Sequence, residues 1–445
     1  MTEHVLRFLE NKKYAQIRYL LRDENPMDIA QILGEVPEES LPVVYRLLPK
    51  ELAAEAFAEM EPDQQEVLIR SFSDRELQDV LDELYIDDTV DIIEEMPANV
   101  VKRILRQSDP QTRGRINELL HYPPDSAGSI MTIEYVSLKK NMTVADAFAR
   151  IRATGVDKET IYTCYVTDRN RHLEGFVTVK DLLLASYETQ VGDIMETRVI
   201  SALTVEDKEE VANRLQKYDF MALPVVDREN RLVGIVTFDD AMDVLQEENT
   251  EDIEKMAAIT PAGKPYLRTG VFQLFKNRIP WLLLLMLSAA FTGKIIQIFE
   301  SALAAQVALT AFIPMLMDTG GNAGSQASVT IIRGLSLGEI QMRDALRIIW
   351  KEIRVAVLCG VTLSAASFVK ILLLDGVGVS VAAVVCLTLA FTVVIAKVTG
   401  CTLPILAKRM GFDPAVMASP FITTIVDALS LMLYFTLASS ILNLA

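Results

Sequence analysis

The strongest constraint on the fold is a set of long apolar segments that begin only after about residue 270. Five of them approach or exceed the roughly 20 residues that a helix needs to cross the hydrocarbon of a bilayer. Since backbone polar groups in lipid must be satisfied within the segment, we predict an all-α membrane domain of five transmembrane helices at 271–445. The predicted spans cover residues 279–299, 302–332 (less apolar after 317), 355–374, 377–406 and 415–442.

The loops between these spans differ in charge. Arg and Lys are frequent between spans two and three and between spans four and five, whereas the opposite loops hold Glu300 and Asp375. Basic loops stay on the cytoplasmic side of a membrane. The first 13 residues, from Met1 to Lys13, contain no apolar stretch long enough for a secretory signal. We therefore predict a multi-pass protein of the plasma membrane, with cytoplasmic N-terminal domains and its C-terminus outside.

The part of the chain that precedes the membrane domain is strongly acidic. Residues 1–265 contain 52 Asp and Glu against 30 Lys and Arg, while the remaining residues contain 8 against 13. This negative charge argues against nucleic acid as a partner, because phosphate binding requires the opposite charge. It favours cations, which it attracts and can ligate directly. A surface kept soluble by negative charge is the alternative explanation.

Asp427 is the only charged residue of the fifth predicted span. A carboxylate at the centre of a bilayer costs about 2.5–3.5 kcal/mol on insertion scales, so it persists mainly where it faces water, a cation or a partner. The residue is therefore a candidate for a cation pathway. The alternative is a carboxylate hydrogen-bonded inside the helix bundle.

The second span contains the stretch Pro-Met-Leu-Met-Asp-Thr-Gly-Gly-Asn-Ala-Gly-Ser-Gln, which ends at Gln326. Gly320, Gly321 and Gly324 permit either close helix contact or an unwound backbone that lines a cavity. Asn322 and Gln326 offer side-chain oxygens to a cation.

The remaining polar groups of the membrane domain are expected to be structural. Lys294, Lys370 and Lys397 lie near enough to span ends for their ammonium groups to reach the interface. The four cysteines show no Cys-x-x-Cys spacing, which indicates reduced thiols and argues against a zinc site or a disulfide framework.

Residues 128–190 and 191–245 form an internal duplication. The first copy contains Val-Thr-Asp-Arg-Asn-Arg-His-Leu-Glu-Gly-Phe-Val-Thr from Val166, and the second contains Val-Val-Asp-Arg-Glu-Asn-Arg-Leu-Val-Gly-Ile-Val-Thr from Val225. Each reads as a strand, a polar turn, a second strand and the start of a helix. The pattern resembles a tandem pair of α/β CBS domains, regulatory modules that often bind adenine nucleotides. Because many such pairs bind none, ATP remains an open possibility.

Two acidic helical regions flank this pair. Residues 1–127 contain apolar residues at helical spacing between prolines, which predicts a helical superhelix. Asp87 and Asp91 are spaced to lie on one face of a helix there. The pair is either a metal site or part of a solvated acidic face. Residues 246–270 continue from the duplication as an acidic connecting helix, either a signal transmitter or a passive linker.

The order of helical domain, CBS pair, acidic connector and five spans with Pro-x-x-x-x-Thr-Gly-Gly-Asn-x-Gly-x-Gln resembles the MgtE family of magnesium channels. The resemblance implies a homodimeric, Mg²⁺-selective channel that cytosolic Mg²⁺ closes, and it implies no enzymatic activity. It assigns the pore carboxylate to Asp427 and a carboxylate near the cytosolic mouth to Asp413. Asp318 and Ser419 depart from the pattern that the family suggests.

The resemblance also implies a set of acidic residues that sense cytosolic Mg²⁺. They come from the helical domain, the second CBS repeat and the connecting helix. They are Glu55, Asp87, Asp91, Asp207, Glu209, Asp219, Asp240, Asp243, Glu248, Glu251 and Asp252.

Two other functions remain open from the sequence. Asp318-Thr-Gly resembles the active-site triplet of aspartic proteases, with Asp427 as a second carboxylate, although those enzymes place it among strands. A coupled divalent-cation transporter with a nucleotide-sensing CBS module is the other alternative. The residue pattern leaves the choice among Mg²⁺, Mn²⁺ and Co²⁺ open.

Overall fold

The computed structural model describes residues 1–263, 266–267, 269–417 and 419–443, apart from the side chains of Asp157, Ala302 and Ser419. The chain divides into two compact units, Met1–Leu245 and Gln246–Ala445. The division falls inside one helix, Phe238–Met256.

The first unit begins with short helices that prolines and side-chain caps delimit. Pro26, Pro62 and Pro110 occupy first helical turns, where a missing N–H is tolerated. At the start of the helix that begins at Asp74, the Ser73 hydroxyl accepts a hydrogen bond from the Glu76 N–H, and the Glu76 carboxylate accepts one from the Ser73 N–H. The prediction of a helical N-terminal domain is confirmed. Its helices are α1 (Thr2–Glu10), α2 (Tyr14–Leu21), α3 (Pro26–Gly34), α4 (Leu41–Tyr45), α5 (Lys50–Ala58), α6 (Pro62–Ser71), α7 (Asp74–Leu81), α8 (Ile86–Glu95), α9 (Ala98–Gln107) and α10 (Pro110–Leu119).

The two repeats that follow have the same topology, as the duplication predicts. In each three-stranded sheet the central strand runs parallel to the first strand and antiparallel to the third. The first repeat comprises β1 (Tyr135–Leu138), α11 (Val144–Thr154), β2 (Thr160–Thr167), β3 (Leu173–Thr178) and α12 (Val179–Leu184). The second comprises α13 (Val191–Ile194), β4 (Ala202–Leu203), α14 (Lys208–Lys217), β5 (Ala222–Val226), β6 (Leu232–Thr237) and α15 (Phe238–Met256).

The segment that leads into each repeat pairs with the sheet of the other repeat. The backbone of Thr132 exchanges two 2.8 Å hydrogen bonds with Ile235, and that of Glu196 exchanges bonds of 2.9 and 3.0 Å with Phe176. Gly234 permits the first approach, because a Cβ there would lie 2.6 Å from the carbonyl oxygen of Thr132. The repeats are therefore interlocked.

The second unit is helical after α15. Four of its segments, 271–298, 342–375, 379–409 and 414–442, are long and apolar enough to cross a membrane. The helix α18 is more polar, but at 24 residues it is also long enough. The predicted class of a multi-domain chain with a helical membrane domain is confirmed. The helices are α16 (Val271–Ile298), α17 (Glu300–Ala305), α18 (Ile313–Ser336), α19 (Ala345–Lys370), α20 (Val379–Arg409) and α21 (Ser419–Leu442).

The second predicted span, 302–332, is not one helix. The short helix α17 and a 3₁₀ turn at Val307–Phe312 precede α18, which starts with Pro314 in its first turn. Proline favours a helix start and disfavours a continuing helix, which explains the break.

Candidate functional site

Asp427 lies on α21 and faces a cavity of about 630 Å³ between α16, α18 and α21. Thr423 and Thr424, one turn earlier on the same helix, also line it, and their hydroxyls donate to the Pro420 carbonyl at 2.9 and 3.1 Å. Of the described lining residues, Asp427 alone carries a charge. The sequence predicted this carboxylate; the two threonines were missed, although their spacing from Asp427 places them on its helix face.

Within the described part of the chain, no hydrogen bond to the Asp427 carboxylate is seen. Asp318, the other acid of the protease alternative, is exposed on α18 and is not among the residues that line this cavity. The geometry therefore favours a carboxylate that faces an open cavity over a hydrogen-bonded or dyad carboxylate.

The three glycines of the motif serve close helix packing. A Cβ on Gly324 would lie 2.6 Å from Ile422 Cγ2, and one on Gly321 would lie 3.0 Å from Thr423 Cγ2. A Cβ on Gly400 of α20 would clash with the Gly324 carbonyl oxygen. Since α18 is a continuous helix here, close contact is the correct alternative and an unwound backbone is not.

The polar residues of the motif face a second cavity, of about 790 Å³, between α18, α19 and α20. Asn322 and Gln326 line it together with Glu352 and Lys397. The prediction that Lys397 extends to the interface is wrong: only 6% of this residue is exposed, and its ammonium lies 3.8 Å from Glu352 Oε2. The motif amides and Asp427 thus line different cavities of one chain.

In the first unit, carboxylates from distant parts of the sequence form a half-buried acidic cluster, defined here as Asp87, Asp88, Glu159 and Asp240. Burial and the charges of Asp240 and Asp88 raise the pKa of Asp87 well above its usual range. Burial, followed by the charge of Asp240, raises the pKa of Asp88 to about 7. Burial, followed by the charge of Asp88, raises the pKa of Glu159 to about 8. Burial also raises the pKa of Asp240 to about 6.

The cluster has unsatisfied oxygens. Asp87 Oδ1 and Glu159 Oε2 are buried without a hydrogen-bond partner among the described residues, whereas Asp240 accepts a hydrogen bond from the Thr237 hydroxyl. Buried carboxylates that repel one another favour either protonation or a bound cation. The sequence predicted Asp87 and Asp240, but Glu159 follows no local pattern that could have placed it beside α8.

The other predicted sensor residues are distributed over several elements. Asp207 caps α14 by accepting from the Glu209 N–H at 2.9 Å, and Asp219 adopts a left-handed conformation with φ 54°. Burial, followed by the charge of Asp239, raises the pKa of Asp243. Glu55 and Asp91 are exposed on α5 and α8. Across the described residues, no group of three or more His, Cys, Asp or Glu side chains has a spacing that could hold a metal ion.

In the second unit, the end of α15 contacts the loop before α21. Lys255 forms ion pairs with Glu251 and with Asp413, the latter at 2.7 Å, so it joins a predicted sensor residue to the acid predicted near the cytosolic mouth. Burial lowers the pKa of Lys255, but the hydrogen bonds to Asp413 and Glu251 outweigh it and raise the pKa overall. The Ser336 hydroxyl lies 3.4 Å from Asp252 Oδ2. Glu248, also on α15, makes interactions with neighbouring residues.

The two repeats of the first unit line a third cavity, of about 380 Å³. Tyr165, Phe176 and Phe220 supply aromatic lining, and Tyr218 stacks on Phe220 with ring centroids 5.5 Å apart. Thr163, Thr178 and Asp219 add polar groups. A mostly apolar cavity with a few polar groups is typical of a small-molecule site.

Three family models match the chain. Residues 313–437 match a model described as a divalent cation transporter, residues 24–125 match the MgtE intracellular N domain, and residues 127–188 and 191–247 match the CBS domain.

Two curated relatives match nearly the whole chain. The magnesium transporter MgtE of Thermus thermophilus is 38% identical over 437 residues, which are 96% of this chain and 95% of the relative. That of Bacillus subtilis is 33% identical over 440 residues, 99% of this chain and 97% of the relative.

Two solved structures match slightly more than half of the chain. The cytosolic domain of the Mg²⁺ channel MgtE in complex with ATP is 36% identical, with a TM-score of 0.52, and the match covers 55% of this chain and 100% of that one. The soluble part of a magnesium transporter is 32% identical, with a TM-score of 0.51, and covers 56% and 97%.

Proposed function

The chain belongs to the MgtE family of magnesium transporters, and from this membership we propose that it forms a Mg²⁺-selective channel that cytosolic Mg²⁺ closes. Membership makes it a membrane transporter with a cytosolic N-terminal part. We further propose that it works as a homodimer in the plasma membrane, with its C-terminus outside.

The observation that carries this proposal is the position of Asp427. Mg²⁺ loses its water reluctantly and is usually bound by one or two carboxylates while it keeps several waters. A membrane cavity with one carboxylate and threonine hydroxyls beside it suits such a hydrated ion. In a homodimer, two Asp427 carboxylates would act on the same ion.

Closure by Mg²⁺ is supported by the acidic cluster. When Mg²⁺ is scarce, burial and the charges of neighbouring acids disfavour the ionised carboxylates of this cluster, which raises their pKa values. Bound Mg²⁺ would offset this cost and draw the carboxylates together, since their present spacing among the described residues does not form a metal site. Because the ligand must bind the closed form more tightly for the gate to move, the permeant ion then provides negative feedback.

The end of α15 supplies a contact through which such a signal could reach the membrane domain. Lys255 connects Glu251 to Asp413, and Met256 packs beside Ile332 and Ala415. We propose that this contact belongs to the closed state and that Mg²⁺ reinforces it through the neighbouring acids.

Flux in proteoliposomes that contain the full chain tests the channel. We expect Mg²⁺ entry without an imposed H⁺ or Na⁺ gradient, and at least tenfold lower flux when the cytosolic face meets millimolar Mg²⁺. Mn²⁺ and Co²⁺ added as competitors would measure the selectivity. Flux that appears only with an H⁺ or Na⁺ gradient would instead establish a coupled transporter.

We also propose that ATP binds the cavity of the CBS pair, as the solved relative in complex with ATP suggests. Stacking of a base on an aromatic side chain is worth about 1–3 kcal/mol. Phe220→Ala should therefore weaken ATP binding roughly tenfold or more in calorimetry of the full chain. Tyr187→Ala is the matched control, since Tyr187 is exposed and does not line the cavity. Equal affinity in both variants would place the nucleotide elsewhere.

A further inference from the structure

The cavity between α18, α19 and α20 contains a buried ion pair. The Lys397 ammonium lies 3.8 Å from Glu352 Oε2, and the two side chains are only 8% and 15% exposed. Lys397 stands 12 residues before Arg409, the end of α20, which corresponds to about 18 Å of helix. Its side chain is too short to reach the cytosolic interface from there.

Stability does not explain this pair. Its 3.8 Å separation exceeds the usual length of a hydrogen bond, so the two charges compensate each other incompletely. Burying two charges carries a large desolvation cost, and apolar residues in the same place are often as stable or more so. Ionisable side chains kept inside a membrane domain are by default functional candidates.

The surroundings of the pair indicate water and cations. One face of α18 presents Asn322, Ser325, Gln326 and Thr330 to the same cavity. Three of these, Asn322, Gln326 and Thr330, are exposed within the chain. Amides exposed on a membrane helix need water or a polar partner, because lipid cannot satisfy them. Their oxygens, together with the Glu352 carboxylate, are ligands of the type that Mg²⁺ prefers.

The positive charge of Lys397 disfavours a cation in this cavity unless a negative charge compensates it. An unpaired ammonium beside the motif amides would repel a dication twice as strongly as a monovalent cation. We propose that Glu352 and Lys397 form a charge-compensating pair that controls access of hydrated divalent cations to the polar face of α18. The inference rests on the proposed transport function and adds two specificity-determining residues to it.

Opposite effects of the two single neutralisations test the pair. In Mg²⁺ flux measurements, Glu352→Gln leaves a bare ammonium and should raise the half-saturating Mg²⁺ concentration at least tenfold. Lys397→Gln leaves a bare carboxylate and should lower it about threefold or more, with slower maximal flux because the ion is held longer. The double variant should return to within about twofold of the original chain.

The controls separate this role from a purely structural one. Asp375→Asn neutralises one partner of the more exposed Lys370–Asp375 pair, at 2.7 Å in the same unit, and should leave flux unchanged. Glu352→Asp preserves the charge and should behave like the original chain. A structural role predicts that both single variants lose folded protein alike, which size-exclusion elution would show, while the half-saturating concentration of the remainder stays constant. That result would overturn the inference.

The outcome also distinguishes this inference from the proposed function. If neutralising Asp427 abolishes flux while Glu352→Gln and Lys397→Gln match the original chain, only the role of the pair is wrong. If flux survives neutralisation of Asp427, the proposed pathway itself is wrong.

Discussion

Replacing Asp427 by asparagine is expected to reduce Mg²⁺ flux by roughly 100-fold or more, equivalent to about 3 kcal/mol. The substitution keeps the shape of the side chain and removes the only charge among the described residues that line its cavity. A dication that leaves bulk water for this cavity then meets hydroxyls and apolar groups but no anion. The measurement is Mg²⁺ entry into proteoliposomes, normalised to the amount of folded protein.

Asp318→Asn is the matched control for this experiment. It makes the same chemical change on a neighbouring helix, at an exposed residue that does not line the Asp427 cavity. We expect its flux to stay within about threefold of the original chain. If the control lost flux while Asp427→Asn retained it, the pathway would lie beside Asp318 on α18 and not at the Asp427 cavity.

The second large effect is expected in the acidic cluster. In a variant in which asparagine replaces Asp87, Asp88 and Asp240, the Mg²⁺ concentration that gives half-maximal protection of the full chain from a protease should rise at least tenfold. Burial raises the pKa values of Asp88 and Asp240, and the charge of Asp240 adds to the shift of Asp88, so a bound cation would stabilise their ionised forms. Without them, Mg²⁺ has little to bind in this place. Flux should require correspondingly more Mg²⁺ for closure.

A control with the same change in charge uses the exposed acids Glu38, Glu39 and Glu51, replaced by glutamine. Its half-protecting Mg²⁺ concentration should remain within about twofold. An equal shift in both triple variants would mean that overall charge, and not the cluster, controls closure.

The pKa values also predict how this response depends on pH. The folded chain holds protons on Asp88, Asp240 and Glu159 up to about pH 7, 6 and 8, whereas the unfolded chain releases them near pH 4. In the Mg²⁺-free protein, their contribution to stability is therefore complete below about pH 4 and is lost as the pH rises to about 8. Since protons compete with Mg²⁺ for these oxygens, half-protection should require about tenfold more Mg²⁺ at pH 6 than at pH 8. A midpoint that does not vary with pH would contradict this assignment.

The sequence alone determined the class of fold and the position of the pore candidate. Long apolar segments can be satisfied in lipid only as helices, and a duplicated strand–turn–strand pattern has few other solutions. A lone carboxylate in such a segment, Asp427, is visible without any structure because its cost depends on the segment and not on its neighbours.

The tertiary structure decided which distant residues meet. The segment at Thr132 pairs with the sheet of the other repeat, Glu159 lies near Asp88 of α8, and Lys397 pairs with Glu352. In the sequence, Lys397 resembled any lysine near a span end, and Glu159 resembled any acid before a strand. Their burial and their partners depend on contacts between elements far apart in the chain. Local periodicity carries no record of such contacts, so only the packed structure could reveal them.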